Sequence, residues 1–193
     1  MHIAPPGEKA YAHFHGDYYS DAELFLNSKP DKLTNKLRIS ASSPNIEVYN
    51  STLVLDIYIP ENKNHFSDFR NICIYSFGAD IKSEEFVPIY HLLIENKEGE
   101  GDINVKAWII SLCDINNEKG LVTLDISKDC TNDVKLSIKN GGGDIVLKLA
   151  STAENMLGAN ASLGKITDKH KAEARMSIVS GDISTCGGGI LIE

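Results

Sequence analysis

The tripeptide Gly-Asp-Ile constrains this chain more than any other feature. It stands at Gly101-Asp102-Ile103, Gly143-Asp144-Ile145 and Gly181-Asp182-Ile183, with a looser copy at Ala79-Asp80-Ile81. The copies lie 22, 42 and 38 residues apart, near multiples of a coil of roughly 20 residues. Each copy follows one strand-like stretch and opens another. Gly supplies positive φ at a corner at little steric cost. Asp bonds to local amides and caps its own turn, and Ile points inward to an aliphatic column. A further degenerate copy is expected at Leu124-Asp125-Ile126, which fits the period better than Cys113-Asp114-Ile115.

Between the corners the β signal persists from Lys36 onward. Leu53-Val54-Leu55-Asp56-Ile57-Tyr58-Ile59 stops at Pro60, which has no donor for a ladder bond. Ile72–Tyr75, Phe86–Ile89, Leu92–Glu95, Ile103–Ala107, Leu121–Ile126, Val134–Ile138, Ile145–Leu149, Arg175–Val179 and Ile190–Ile192 continue the series. Turn formers separate them, among them Asn140-Gly141-Gly142-Gly143 and Cys186-Gly187-Gly188-Gly189. No helix N-terminus follows either glycine run, so both read as coil corners rather than phosphate loops. A short helix is expected at Ser151–Leu157, capped by Ser151 or Thr152, unless that stretch is an insertion within a coil. The expected fold is all-β: a parallel β-helix-like solenoid of short irregular coils over 36–193. Residues 1–35, rich in aromatics and histidines, form an extension that caps it or packs on it. Tyr11, Phe14, Tyr18, Tyr19 and Phe25 suit closure of an open coil; the rival reading of Tyr11, Tyr18 and Tyr19 is a recognition surface.

Ile178-Val179-Ser180-Gly181-Asp182-Ile183, Gly141-Gly142-Gly143-Asp144-Ile145 and Glu100-Gly101-Asp102-Ile103 carry a resemblance. The chain resembles the β-helical family of putative adhesins, whose members bear degenerate Ser-Gly-Asp-Ile or Gly-Gly-Asp-Ile repeats. The resemblance runs from about Lys36 to the last residue. It implies a β-helical body and a link to adhesion or the cell envelope. It implies no catalytic residue set.

Composition narrows the partners. With 27 acidic against 19 basic residues the formal charge is −8, which works against a nucleic-acid backbone; a protein or a glycan is the expected partner. No apolar run reaches membrane-spanning length, and the first residues lack a signal-peptide pattern. The compartment stays open between cytoplasm and, with a leader removed, envelope or exterior. Ile190-Leu191-Ile192 reads as an edge strand available for self-association.

Catalytic motifs are missing: no Gly-x-Ser-x-Gly, His-Glu-x-x-His or Walker loop occurs, and no cofactor is expected. Stacked Asp80, Asp102, Asp144 and Asp182 are the basis of a rival reading, a polysaccharide lyase or hydrolase on a β-helix. The leading reading is a non-enzymatic interaction or structural protein. His13-Phe14-His15 puts two imidazoles on one face of an extended segment, and Asp17 or Asp21 could complete a metal site there. Four cysteines lack Cys-x-x-Cys spacing. Cys73 and Cys113 read as buried apolar residues, with Cys130 and Cys186 beside turns. Trp108, beside Ile109 and Ile110, reads as core.

Overall fold

A computed structural model describes residues 1–8, 11–17, 25–31, 36–42, 52–60, 71–128 and 132–193. Among them every regular element is a strand. In chain order these are β1 (His2–Ala4), β2 (Tyr11–Asp17), β3 (Phe25–Asp31), β4 (Lys36–Ser42), β5 (Thr52–Pro60), β6 (Asn71–Phe77), β7 (Ile81–Lys82) and β8 (Val87–Lys97). They are followed by β9 (Ile103–Asn117), β10 (Val122–Ile126), β11 (Val134–Asn140), β12 (Ile145–Leu149), β13 (Ala153–Ala161), β14 (Ile166–Asp168), β15 (Ser177–Thr185) and β16 (Ile190–Ile192).

The chain divides into two compact units, Met1–Tyr11 with Ile57–Glu193, and Ala12–Asp56. In the smaller one, β3 and β4 form an antiparallel pair running from Phe25 opposite Ser42 to Asp31 opposite Lys36. The larger unit is a parallel β-solenoid, in which the chain alternates between two faces. One face stacks β7, the first part of β9, β10, β12, β16 and β14; the other stacks β6, β8, the second part of β9, β11, β15 and β13. β9 bends from one face to the other, and its ladder with β8 shifts register between Ile89 and His91 at that bend.

Period-2 alternation makes these strands. In β10, Val122, Leu124 and Ile126 are buried while Thr123 and Asp125 are half-exposed. Register then turns alternation into columns. Val105, Leu124, Leu147 and Ile192 stack along one face, and Ile94, Ile115, Ile138 and Ile183 along the other. These eight side chains are buried, each worth about 1.5–3 kcal/mol of transfer free energy. Met1, Ala4 and Ile59 close the first coil: β1 lies parallel to β5, the Met1 amino group donates to the Lys82 carbonyl, and Met1 and Ile59 join the core.

The last two coils are stacked out of chain order. β16 lies between β12 and β14, with Ile190 opposite both Ile145 and Ile166. β15 likewise lies between β11 and β13. The edge expected at Ile190–Ile192 is therefore an interior strand, bonded on both sides, and it offers no free ladder for self-association. β13 and β14 take the outer place. The expected helix at Ser151–Leu157 is also corrected. Ser151 and Thr152 make a turn, and residues from Ala153 onward join β15 in a nine-residue ladder that overrides the local capping pattern.

A row of charges agrees with that order. Asp125 lies opposite Lys106 on one side and Lys148 on the other. Glu84 precedes this row; its carboxylate pairs with Lys82 at 3.0 Å, while its backbone carbonyl accepts from the Lys106 ammonium at 3.3 Å. Glu193 follows Lys148, with 3.4 Å between ammonium and carboxylate, and Lys169 bonds beside Ile192 as the last member. The signs alternate along the stack. Chain order would instead set Lys169 directly beside Lys148. Exposed pairs contribute only about 0–1 kcal/mol each, so the row favours one stacking order over another more than it adds stability.

Candidate functional site

The repeated tripeptide builds a column at one corner. Ile81, Ile103, Val122, Ile145, Ile190 and Ile166 are in register there, so the preceding residues in spatial order are Asp80, Asp102, Leu121, Asp144, Gly189 and Lys165. The corner carboxylates reach across coils instead of capping their own turns. Asp80 Oδ1 accepts from the Asp102 amide at 2.9 Å, Asp102 Oδ1 from Leu121 at 2.8 Å, and Asp144 Oδ1 from Gly189 at 2.7 Å. Each carboxylate thus satisfies a backbone donor that a sharp corner would leave without a ladder partner. With Leu121, Gly189 and Lys165 in the column, only Asp80 and Asp102 stand side by side, and no acidic ladder forms.

Two further expectations about the repeat change. The degenerate copy is Gly120-Leu121-Val122, because Val122 pairs with both Ile103 and Ile145; Leu124-Asp125-Ile126 lies two residues further along the strand. The third Gly-Asp-Ile is not at this corner. Gly181, Asp182 and Ile183 lie inside β15, on the opposite face of the coil, beside Leu136, Ser137 and Ile138. What Gly143 and Gly181 share is backbone conformation, with φ of +118° and +119°. A Cβ would also overlap the carbonyl oxygen of Gly120 at the first and of Leu136 at the second. The same local demand recurs at two different places in the coil.

Inside the solenoid runs a polar line that the tripeptide repeat does not mark. Asn96, Asn117, Asn140 and Thr185 are in register and each is only 1–2% exposed. Asn96 Nδ2 donates to Asn117 Oδ1 at 3.0 Å, and Asn117 Nδ2 donates to Asn140 Oδ1 at 3.4 Å. The same amides hold corner carbonyls: Asn117 binds those of Gly101 and Lys119 at 3.2 and 3.0 Å, and Asn140 those of Gly120 and Asp144 at 2.8 and 3.2 Å. Ser76 Oγ begins the line by donating to Asn96 Oδ1, and Thr185 Oγ1 extends it by donating to the Gly143 carbonyl. Separations of 21 and 23 residues between these asparagines were the available signal.

Outside, one row of the second face reads Tyr75, Glu95, Asn116, Lys139, Ser184 and Asn160, successive residues standing about 4.8 Å apart. Beside it is a shallow open groove of about 430 Å³, with Lys97, Asn116, Glu118, Lys139, Ser184 and Cys186 on its walls. Tyr75 and Phe77 are strongly exposed on β6. Trp108 is not core: Ala107 takes the inward position, and the Trp108 ring faces out under the Lys128 ammonium, 3.8 Å from its centroid. Cys73 is exposed as well, since Ile72 and Ile74 occupy the inward positions around it.

Cys113 is fully buried, and burial, then the charge of Asp114, pushes its thiol far above the ordinary value. Because the thiolate is the reactive form, native protein should alkylate at Cys73 and Cys186 and spare Cys113 by more than about tenfold in rate. Peptide mass mapping after timed labelling, with and without urea, reads this. Cys130 lies outside the described residues.

The N-terminal residues gather a second cluster. β2 carries His13 and His15, whose rings stack with centroids 5.1 Å apart. His15 Nε2 is 2.8 Å from Asp56 Oδ2, supplied by β5. Asp56 thus stands where the sequence singled out Asp17 or Asp21; the side chain of Asp17, and Asp21 as a whole, lie outside the described residues. So do Tyr18 and Tyr19. Tyr11 stacks on Tyr58 with centroids 4.4 Å apart, and partial burial, then the charges of Glu8 and Tyr58, raise its hydroxyl above the ordinary value.

No family model matches this chain, and no curated protein does. Among solved structures it is similar to a "putative cell adhesion protein" from Clostridium sporogenes ATCC 15579, with a TM-score of 0.51 and 15% identity over 99% of this chain and 85% of that one. At that identity the likeness shows the fold. No helix of the described residues is long and apolar enough to cross a membrane.

Proposed function

We propose that this protein is an adhesin-like display scaffold, which engages a protein or glycan partner through the polar face of its solenoid and performs no chemistry. The observation that carries this reading is where the carboxylates of the repeat are spent. Asp80, Asp102 and Asp144 each bond a backbone amide of the next coil, so the repeated motif serves stacking. Groups open to a partner lie instead on the regular outer row, where Asn116, Lys139 and Ser184 border an open groove. A rigid parallel ladder holds such a row at fixed spacing without ordering it on contact, which lowers the entropic cost of binding. The likeness to a chain described as a cell adhesion protein supports the same reading.

The test is an immobilised-protein screen against a glycan array and a panel of matrix proteins, repeated with Lys139→Glu and Asn116→Ala. A hit weakened at least about tenfold by these changes supports the scaffold. Depolymerisation of any polysaccharide on the array, abolished by Asp102→Asn, would replace this reading with that of a carbohydrate-active enzyme.

A further inference from the structure

We propose that His13, His15 and Asp56 form a zinc site. The inference starts from the strand. Residues two apart in an extended segment project to the same side, so His13 and His15 lie together, their rings 23° from parallel. The third donor comes from far along the chain: Asp56 is 41 residues from His15, yet its carboxylate lies 2.8 Å from the imidazole. One ligand atom from each of the three residues can be chosen so that all lie within 4.8 Å of one another.

Donor chemistry selects the metal. Two imidazole nitrogens with one carboxylate oxygen are a borderline set that suits zinc, whereas calcium and magnesium take oxygen ligands. Zinc holds such atoms at about 2.0–2.2 Å, which sets neighbouring ligand atoms about 3.4 Å apart in a tetrahedron. The His15–Asp56 contact must open slightly and the widest separation must close. His13 and His15 are exposed and Asp56 is half-exposed, so the three ligand atoms are open to an ion from solvent. Zinc would take the place of the hydrogen that now bridges His15 and Asp56. Three protein ligands leave the fourth position to water, the pattern of an open zinc site.

The full chain, free of any polyhistidine tag, is titrated with Co²⁺ as the spectroscopic probe and Zn²⁺ as competitor. The expected result is one equivalent bound with a dissociation constant below about 10 µM, visible d–d absorption, and displacement by Zn²⁺. His15→Ala and Asp56→Asn should each weaken binding at least about tenfold, while His91→Gln, in β8 of the solenoid, leaves it unchanged. Far-UV circular dichroism of each variant separates lost binding from lost folding. Binding that survives either His15→Ala or Asp56→Asn at full affinity overturns the three-ligand site. So does the absence of stoichiometric binding at about 100 µM metal.

Discussion

A chain shortened to end at Thr185 loses cooperative folding. The missing segment holds β16, whose neighbours are β12 on one side and β14 on the other. Its removal takes Ile190 and Ile192, 1% and 2% exposed, out of the core. Large-to-small changes at such sites cost about 2–5 kcal/mol each. It also strips ladder partners from both flanks: Ile145 and Leu149 lose the Gly189 and Glu193 carbonyls, and the Lys169 amide loses that of Ile192. The sum is on the order of 5–10 kcal/mol, comparable with the whole stability of an ordinary domain. Urea unfolding followed by circular dichroism should show no sigmoidal transition for the shortened chain. A loss of only about 2 kcal/mol with unchanged slope would instead place Ile190–Ile192 at an edge.

Asn117→Ala should cost about 3–4 kcal/mol, and Asn116→Ala under about 0.5 kcal/mol, although the two residues are adjacent. Asn116 is exposed on the outer row, whereas Asn117 is 1% exposed in the interior line. Truncating Asn117 strands the Gly101 carbonyl and one Asn96 Nδ2 hydrogen, and removes the links to the Lys119 carbonyl and to Asn140. Asn96 Nδ2 keeps the Ala79 carbonyl, and the Lys119 carbonyl keeps the Gly101 amide. A buried group left without a partner costs about 1–3 kcal/mol, and the losses are not additive within one network. Chemical denaturation of the two variants in parallel checks both values. Equal costs would mean that the line contributes nothing beyond packing.

Strands and corners were legible because they follow from local rules. Alternation in Val122–Ile126 and Ile145–Leu149 marks which side chains point inward, and the glycine runs mark where the chain turns. Neither rule reports which coil lies beside which. That information sits in relations between distant residues, such as the alternation of Lys148, Glu193 and Lys169, and it is invisible until the register is known. The tripeptide misled at Gly181 for a related reason: a left-handed glycine with an aspartate after it serves a mid-strand position as well as a corner. It hid the copy at Gly120 because Leu121 replaces the aspartate. Trp108 and Cys73 show the limit of hydrophobic neighbours as a guide, since parity within a strand, not company in the sequence, decides which face a residue takes. At the candidate metal site, the pair of histidines could be read from spacing, but Asp56 arrives from another strand and carries no local mark.

The interior place of β16 has a mechanical consequence. Tension entering through Glu193 meets a strand bonded to β12 on one flank and β14 on the other. Pulling along its axis must shear two ladders at once, while an edge strand peels from a single neighbour one bond at a time. The resistance comes from threading the last coil inward, and it needs no disulfide. For a protein whose proposed work is to hold on to something, a strand gripped on both sides makes β16 an element well placed to bear a pull.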